Sequence, residues 1–390
     1  MVMRDVAIIG VGITKFGELW DKSLRALGME AGLGAIKDAG IYSNDLEALY
    51  FGNMSAGRFI NQEHIAPLIA DYVGLAGHNL PATRVEAGGA SGGLALRQAY
   101  ASVASGLHDI VLVGGAEKMT DVGDSEAADI LASSLDQEWE AFFGATVGSL
   151  YAMMARRHMH EYETTREQLA SVAVKNHYHG SMNPNAQFRR AVPIEMVLNA
   201  GPVATPLGVF DCAPISDGAA ALVLCSAERA KEFSDNPVKI IGSGAATDTM
   251  ALHDRASLSS QMATVKAGER AFKRAGITPQ DINVAELHDS FSIAEIMATA
   301  DLGFFPKGEG GKAVEEKLTY LNGQVSVNTS GGLKARGQPV GATGIAQAVE
   351  IVHQLRRQAG DRQVKDARYG LTHNQGGTGA TSIVHLMEVM

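Results

Sequence analysis

The sequence predicts an α/β protein of two similar halves, with a helix-rich segment inserted between them. Two observations carry that prediction. Four sequence segments recur in the same order in both halves, and short apolar runs alternate with helically spaced ones. Gly34-Ala35-Ile36-Lys37-Asp38-Ala39-Gly40-Ile41 matches Arg270-Ala271-Phe272-Lys273-Arg274-Ala275-Gly276-Ile277. Asp45-Leu46-Glu47-Ala48-Leu49 matches Asp281-Ile282-Asn283-Val284-Ala285 at the same offset. Val6–Gly12 matches Val238–Gly244 at a slightly smaller offset, and Ser91-Gly92-Gly93-Leu94 matches Ser330-Gly331-Gly332-Leu333 at a slightly larger one. Four matches in one order indicate a duplication, with a period far longer than that of a solenoid.

Taken in order, Val6-Ala7-Ile8-Ile9 reads as a strand, and it is too short for a signal-peptide core. Each half then continues helix, strand, Gly-rich turn, helix, strand. Val111-Leu112-Val113 and Tyr369-Gly370-Leu371-Thr372 are the late strands. Ala267, Ala271, Phe272 and Ala275 fall at helical spacing, and that pattern stops at Gly276. The alternation favours a mixed sheet covered on both faces. The predicted units are residues 1–116, an insert over 117–237 whose last part rejoins the core, and 238–390. Within the insert, Thr165-Arg166-Glu167-Gln168 is a capping box opening a helix towards Lys175. Gly180–Asn185 is a loop signal. The insert is too long for a passive connection, so it is expected to cover a site or to bind a ligand or a second subunit.

Composition narrows the function. With 390 residues, 46% hydrophobic and 19% charged, the chain can bury a substantial core. A net charge of -10 argues against nucleic acid and anionic membrane surfaces, and leaves local anion sites at helix N-termini open. Cys212 and Cys225 are too few for a disulfide framework or a four-ligand zinc site, and read as buried free thiols of a cytoplasmic protein. No apolar run is long enough for a membrane span. His158, His160, His177 and His179 lack the spacing that sets two imidazoles on one helix face, so no metal is expected. Gly10-Val11-Gly12-Ile13-Thr14-Lys15 lacks the third glycine of a dinucleotide loop.

Five motifs point to chemistry. Arg84–Ala95 runs from a β-like stretch through Gly88-Gly89 into a Gly/Ala-rich helix. Asp211-Cys212-Ala213-Pro214-Ile215-Ser216-Asp217-Gly218 enters the second half. The other three are Glu286-Leu287-His288-Asp289-Ser290-Phe291, Gly337-Gln338-Pro339-Val340-Gly341 and His373-Asn374-Gln375-Gly376-Gly377. Together they resemble the thiolase superfamily over nearly the whole chain, and most resemble archaeal acetoacetyl-CoA thiolases and sterol-carrier-type thiolases. The resemblance implies a five-layered α-β-α-β-α core with a helical loop domain. It also implies a CoA thioester as substrate, no bound cofactor, and a homodimer or tetramer with C2 symmetry. A small zinc-ribbon/OB-fold partner is implied as well.

The resemblance also assigns roles. The position of Gly89 carries the catalytic Cys, whose thiolate is favoured at a helix N-terminus. His288 and Gln338 fall where the family builds the oxyanion hole for the enolate. The backbone N–H groups of Gly89 and of the turn Gln375, Gly376 and Gly377 fall at the second hole. His373 stands where relatives place an acid/base cysteine. Asp289, Ser290 and Asn374 are expected to bind substrate. Asn328, the counterpart of Gly89 in the repeat, is expected to be a structural turn residue, and Ser91 and Ser330 to cap or pack.

Two departures alter the chemistry. Glycine cannot be acylated, and Gln338 replaces a His with an amide that donates a hydrogen bond and takes no proton. Neither Cys212 nor Cys225 lies in a motif that replaces the thiol. The reading is a CoA-thioester protein acting at a carbon–carbon bond by retro-aldol chemistry, which needs a base and enolate-stabilising donors but no nucleophile. The alternatives are a non-catalytic CoA-binding or scaffolding subunit, or an inactivated acetoacetyl-CoA thiolase.

Overall fold

The computed structural model describes residues 3–390. Its strands are β1 (Val6–Ile13), β2 (Ala48–Gly52), β3 (Ala82–Val85), β4 (Ile110–Glu117), β5 (Pro202–Ala204), β6 (Leu207–Gly208), β7 (Gly218–Ser226), β8 (Val238–Thr247), β9 (Val284–Glu286), β10 (Ser326–Val327), β11 (Tyr369–Gly376) and β12 (Thr381–Val389). β5 and β6 form a separate hairpin, and the other ten make one sheet in the order β10-β9-β11-β12-β8-β1-β7-β4-β2-β3. Read outward from the centre, β1-β7-β4-β2-β3 and β8-β12-β11-β9-β10 have the same order and the same mixture of parallel and antiparallel pairs. The duplication seen in the sequence is therefore a duplication of topology. The halves join where Val6–Ile8 of β1 pair with Val238–Ile240 of β8.

Strand alternation sorts the side chains into layers. Val6 and Ile8 face the central core, and Ala7 and Ile9 face the outer one. The Leu24–Asp38 helix covers the outer face of the first half, and the Met262–Ala275 helix covers that of the second. Between the half-sheets lie the Ser91–Ser105 and Thr343–Leu355 helices. That is the five-layered arrangement implied by the resemblance. Each large aliphatic side chain buried there contributes about 1.5–3 kcal/mol.

The recurring Gly-x-Gly of β1 and β8 has a packing cause. A Cβ at Gly12 would stand 2.1 Å from Ala31 O, and one at Gly244 would stand 1.9 Å from Ala267 O. These glycines let the outer helices lie against the sheet, so the segment is no phosphate loop.

The fourth repeat match is corrected by the fold. Ser91 begins a 15-residue central helix, but Ser330 leads only into the short Gly332–Arg336 helix, which ends at Gly337 with φ 111. The central helix of the second half starts at Thr343. Asn328, at φ 56, is structural as expected: its Oδ1 accepts from Leu287 N at 2.8 Å and its Nδ2 donates to Glu295 at 2.7 Å.

In the insert, Thr165 and Gln168 form the expected capping box, and the helix runs Arg166–Ser181, beyond Lys175. β7 carries the chain back between β1 and β4. Three of the insert's four singled-out histidines are separately engaged, His158 bonding Thr164, His177 stacking on Phe188 and His179 bonding Asn328 O, and His160 is exposed. Among the described residues no helix is long and apolar enough to cross a membrane.

Candidate active site

β3 ends at Val85, and the chain turns through Gly88, at φ 56, into the central helix. Ser91 fixes this turn: its Oγ donates to Gly88 O at 2.6 Å and accepts from Ala87 N at 2.9 Å. Gly89 is thereby held at the helix N-terminus, and its N–H has no hydrogen-bond partner among the described residues. The β11–β12 turn lies against it, with Gly377 at φ 57.

A narrow cleft of about 90 Å³ opens at this turn. Gly89, His288, Ser290, Gln338, Gln375 and Gly377, all singled out from the sequence, line it. Sequence reasoning missed Met54, Leu131, Ser134, Val147, Ala213 and Val340, which complete its wall. Ala213 and Val340 fall inside two of the quoted motifs, and Val147 begins a helix capped by Thr146 and Ser149, so these three had a signal in the sequence. Phe291, the last residue of the His-Asp-x-Phe motif, also lines the cleft and stacks on Tyr151 with centroids 4.6 Å apart.

The cleft is closed against a side chain at position 89. A Cβ built there would stand 2.7 Å from Gln375 O, 2.9 Å from His288 Cε1 and 3.2 Å from His288 Nε2. Real Cβ atoms do not approach a carbonyl oxygen so closely, so His288 and the Gln375 backbone occupy the ground a cysteine needs.

Among the described residues, His288 is the only side chain with a titratable group lining the cleft. Burial, reinforced by the Arg336 guanidinium, lowers its pKa to about 3, so it is a neutral imidazole near pH 7. Its Nδ1 is buried without a partner among the described residues. Gln338 reaches the cleft from a loop fixed by its N–H donating to Ser216 Oγ at 3.0 Å, and its side-chain amide makes no hydrogen bond among the described residues. Gln375 is anchored, its Oε1 accepting from Tyr151 Oη at 3.1 Å and its Nε2 donating to Gln261 and Thr264.

Three expected site residues stand elsewhere. His373 lies behind the cleft without lining it, with Nε2 3.0 Å from Thr264 Oγ1 and its pKa lowered to about 3 by burial. The strand pleat turns Asn374 to the opposite face, where its Nδ2 donates to Gln347 at 2.5 Å between the central helices. Asp289 is fully buried and accepts from Leu333 N and Asn176 Nδ2, each at 2.7 Å. It accepts at the N-terminus of the Gly332–Arg336 helix and does not line the cleft. Gly376 flanks the cleft without lining it. Cys212 and Cys225 do not line it either, and burial pushes their thiols up to about 11 and about 12.

At Ala213 the cleft meets an apolar groove of about 380 Å³ that includes Phe188, Val209 and Phe210. The groove continues past His177 and Phe188 to Arg189 and Arg190 at the surface.

A duplicated five-layer core with a glycine turn, a His-Asp-x-Phe motif and a Gln-Pro loop meeting at one cleft defines a thiolase-type site. Residues 6–205 match the family described as "Thiolase, N-terminal domain", and residues 244–389 match "Thiolase C-terminal domain-like". The chain belongs to the thiolase superfamily. It is 59% identical over 384 residues to an acetyl-CoA acetyltransferase of Methanothermobacter thermautotrophicus, covering 98% of this chain and 99% of that one. It is 53% identical over 395 residues to an acetyl-CoA acetyltransferase of Methanocaldococcus jannaschii, covering 99% of each. Among solved structures, the Ltp2-ChsH2(DUF35) aldolase aligns with TM-score 0.86 at 27% identity, covering 99% of this chain and 98% of that one.

Proposed function

We propose that this protein binds a β-hydroxyacyl-CoA thioester and cleaves its Cα–Cβ bond by a non-covalent retro-aldol reaction. The observation that carries the proposal is the cleft's construction around Gly89: donors for a thioester oxygen are present, and the space for a nucleophile is closed. The apolar groove suits a pantetheine arm, and Arg189 and Arg190 suit the CoA phosphates.

In this reading His288 is the base. Its neutral imidazole takes the β-hydroxyl proton. The C–O bond becomes a carbonyl, the Cα–Cβ bond breaks, and its electron pair enters the thioester enolate. Gln338 and the Gly89 and Gly377 N–H groups hold the enolate oxygen. The imidazolium then returns the proton to Cα, leaving a shortened acyl-CoA and an aldehyde or ketone. His373, first expected as the base, is replaced in this role because it does not reach the cleft. No bound cofactor enters any step.

The similar Ltp2-ChsH2(DUF35) aldolase pairs with a DUF35 component, which supports a second reading: a small zinc-ribbon/OB-fold protein completes the site. We propose that the chain also pairs with itself, as a dimer or tetramer.

The test supplies purified protein with a β-hydroxyacyl-CoA and assays the shortened acyl-CoA and the free carbonyl product. Both appear in equal amounts if the proposal holds. Turnover only after a DUF35-type protein is added supports the second reading. Thiolysis of acetoacetyl-CoA with free CoA, well above background, would overturn the non-covalent mechanism.

A further inference from the structure

Glu117, the last residue of β4, lies outside the cleft with no exposed surface. A buried carboxylate needs acceptor sites filled by donors. Here Oε1 accepts from Asn53 Nδ2 at 2.8 Å and from Ser55 N at 3.1 Å. Oε2 accepts from Met54 N at 2.8 Å and from Gly341 N at 3.0 Å. These four donors come from two separate walls of the cleft. Met54 belongs to the loop after β2, in the first half, and Gly341 closes the Gln338–Gly341 loop of the second half.

The second loop is held by contact as well. Its Gly341 carbonyl sits in a notch where a Cβ on Gly115 would stand 2.1 Å away and one on Gly92 2.8 Å away. Shape therefore fixes the carbonyl side of Gly341, and Glu117 fixes the N–H side. We propose that Glu117 is a positioning residue whose carboxylate clamps the Met54 loop of one half to the Gln338 loop of the other, and so sets the cleft's width and the placement of the Gln338 amide. The proposal rests on reading the cleft as an acyl-thioester site.

The clamp has a built-in pH dependence. Burial, against the lowering pull of its backbone donors and of Arg84, raises Glu117's pKa to about 7. Arg84 bonds the carbonyls of Asn53 and Met54, and adjacent Lys118 is turned away to Asp121 and Asp217. All four of Glu117's partners are donors, so a protonated carboxyl has no acceptor for its new hydrogen and gives up at least one contact. The clamp is complete above about pH 7 and loosens below it.

The experiment follows the backbone amide of Gly341 by 15N NMR from pH 5.5 to 8.5, in wild type and in E117Q. The expected result is one transition near pH 7 shared by Gly341, Met54 and Ser55 in wild type and absent from E117Q. A flat Gly341 amide in the wild-type protein overturns the proposal, whether or not the variant folds. Acetoacetyl-CoA is the binding probe. Its affinity in wild type should fall about tenfold from pH 8 to pH 6, the equivalent of losing one buried hydrogen bond. In folded E117Q it should be weak at both values. Wild-type affinity in folded E117Q overturns the clamp. If the wild-type protein binds no acetoacetyl-CoA at either pH, the acyl-thioester reading falls, and the Gly341 titration alone decides the clamp.

Discussion

The two halves repeat the same strand order but differ where the edge strand passes into the central helix. In the first half β3 ends at Val85 and the helix starts at Ser91, with only a tight turn between. In the second half β10 ends at Val327 and the helix waits until Thr343. The longer junction holds Asn328, the short Gly332–Arg336 helix and the Gln338 loop. The first junction thus presents the Gly89 backbone to the cleft and the second presents the Gln338 side chain, with His288 coming from just beyond β9. A duplicated fold makes an asymmetric site by lengthening one of two equivalent junctions.

That contrast can be broken from the second half first. His288→Ala removes the one titratable side chain in the cleft and should lower kcat/KM for β-hydroxyacyl-CoA cleavage by about 10²–10⁴-fold. Retention of most of the rate would move the base elsewhere. Gln338→Ala should cost about 10²-fold, chiefly in kcat, as loss of one oxyanion donor does. An effect confined to KM would make Gln338 a ground-state contact only.

The first half is tested by Gly89→Cys. Overpacking against Gln375 O and His288 should destabilise the fold by about 1–3 kcal/mol in a denaturant titration. Intact mass after acetoacetyl-CoA treatment should show no acyl adduct. Recovered thiolysis would mean that the cleft relaxes around a thiol, and that the protein is an inactivated thiolase.

The last test concerns charge. His288 and His373, with pKa values near 3, should show no imidazole titration by NMR between pH 8 and 5. The unfolded chain takes up these protons as pH falls through about 6.5, and the folded chain does not. The stability they contribute is therefore complete above that value and is lost progressively as pH falls towards 3. A midpoint near 6.5 for His288 would show that water reaches it.

Much of this was legible in residue order. The repeat gave the paired half-sheets, because the same apolar spacing and the same Gly-x-Gly contacts recur at β1 and β8. The resemblance of the motifs to the thiolase superfamily pointed to Gly89, His288, Ser290, Gln338, Gln375 and Gly377, which the fold brings to one cleft. Asn374 and His373 show where local reading stops. They are neighbours on β11, yet the pleat sends Asn374 between the central helices, and His373 is taken up by Thr264 from another helix.

Sequence alone determined that the chain is a duplicated α/β protein with thiolase-like motifs and with Gly89 where the resemblance places a cysteine, since these depend on residue identity and short-range order. Tertiary structure decided that the absent side chain's place is closed, that His288 stands as the cleft's only titratable group, and that Glu117 joins its walls. Each of those depends on atoms from distant segments meeting within hydrogen-bond or van der Waals range, a distance that no local pattern encodes.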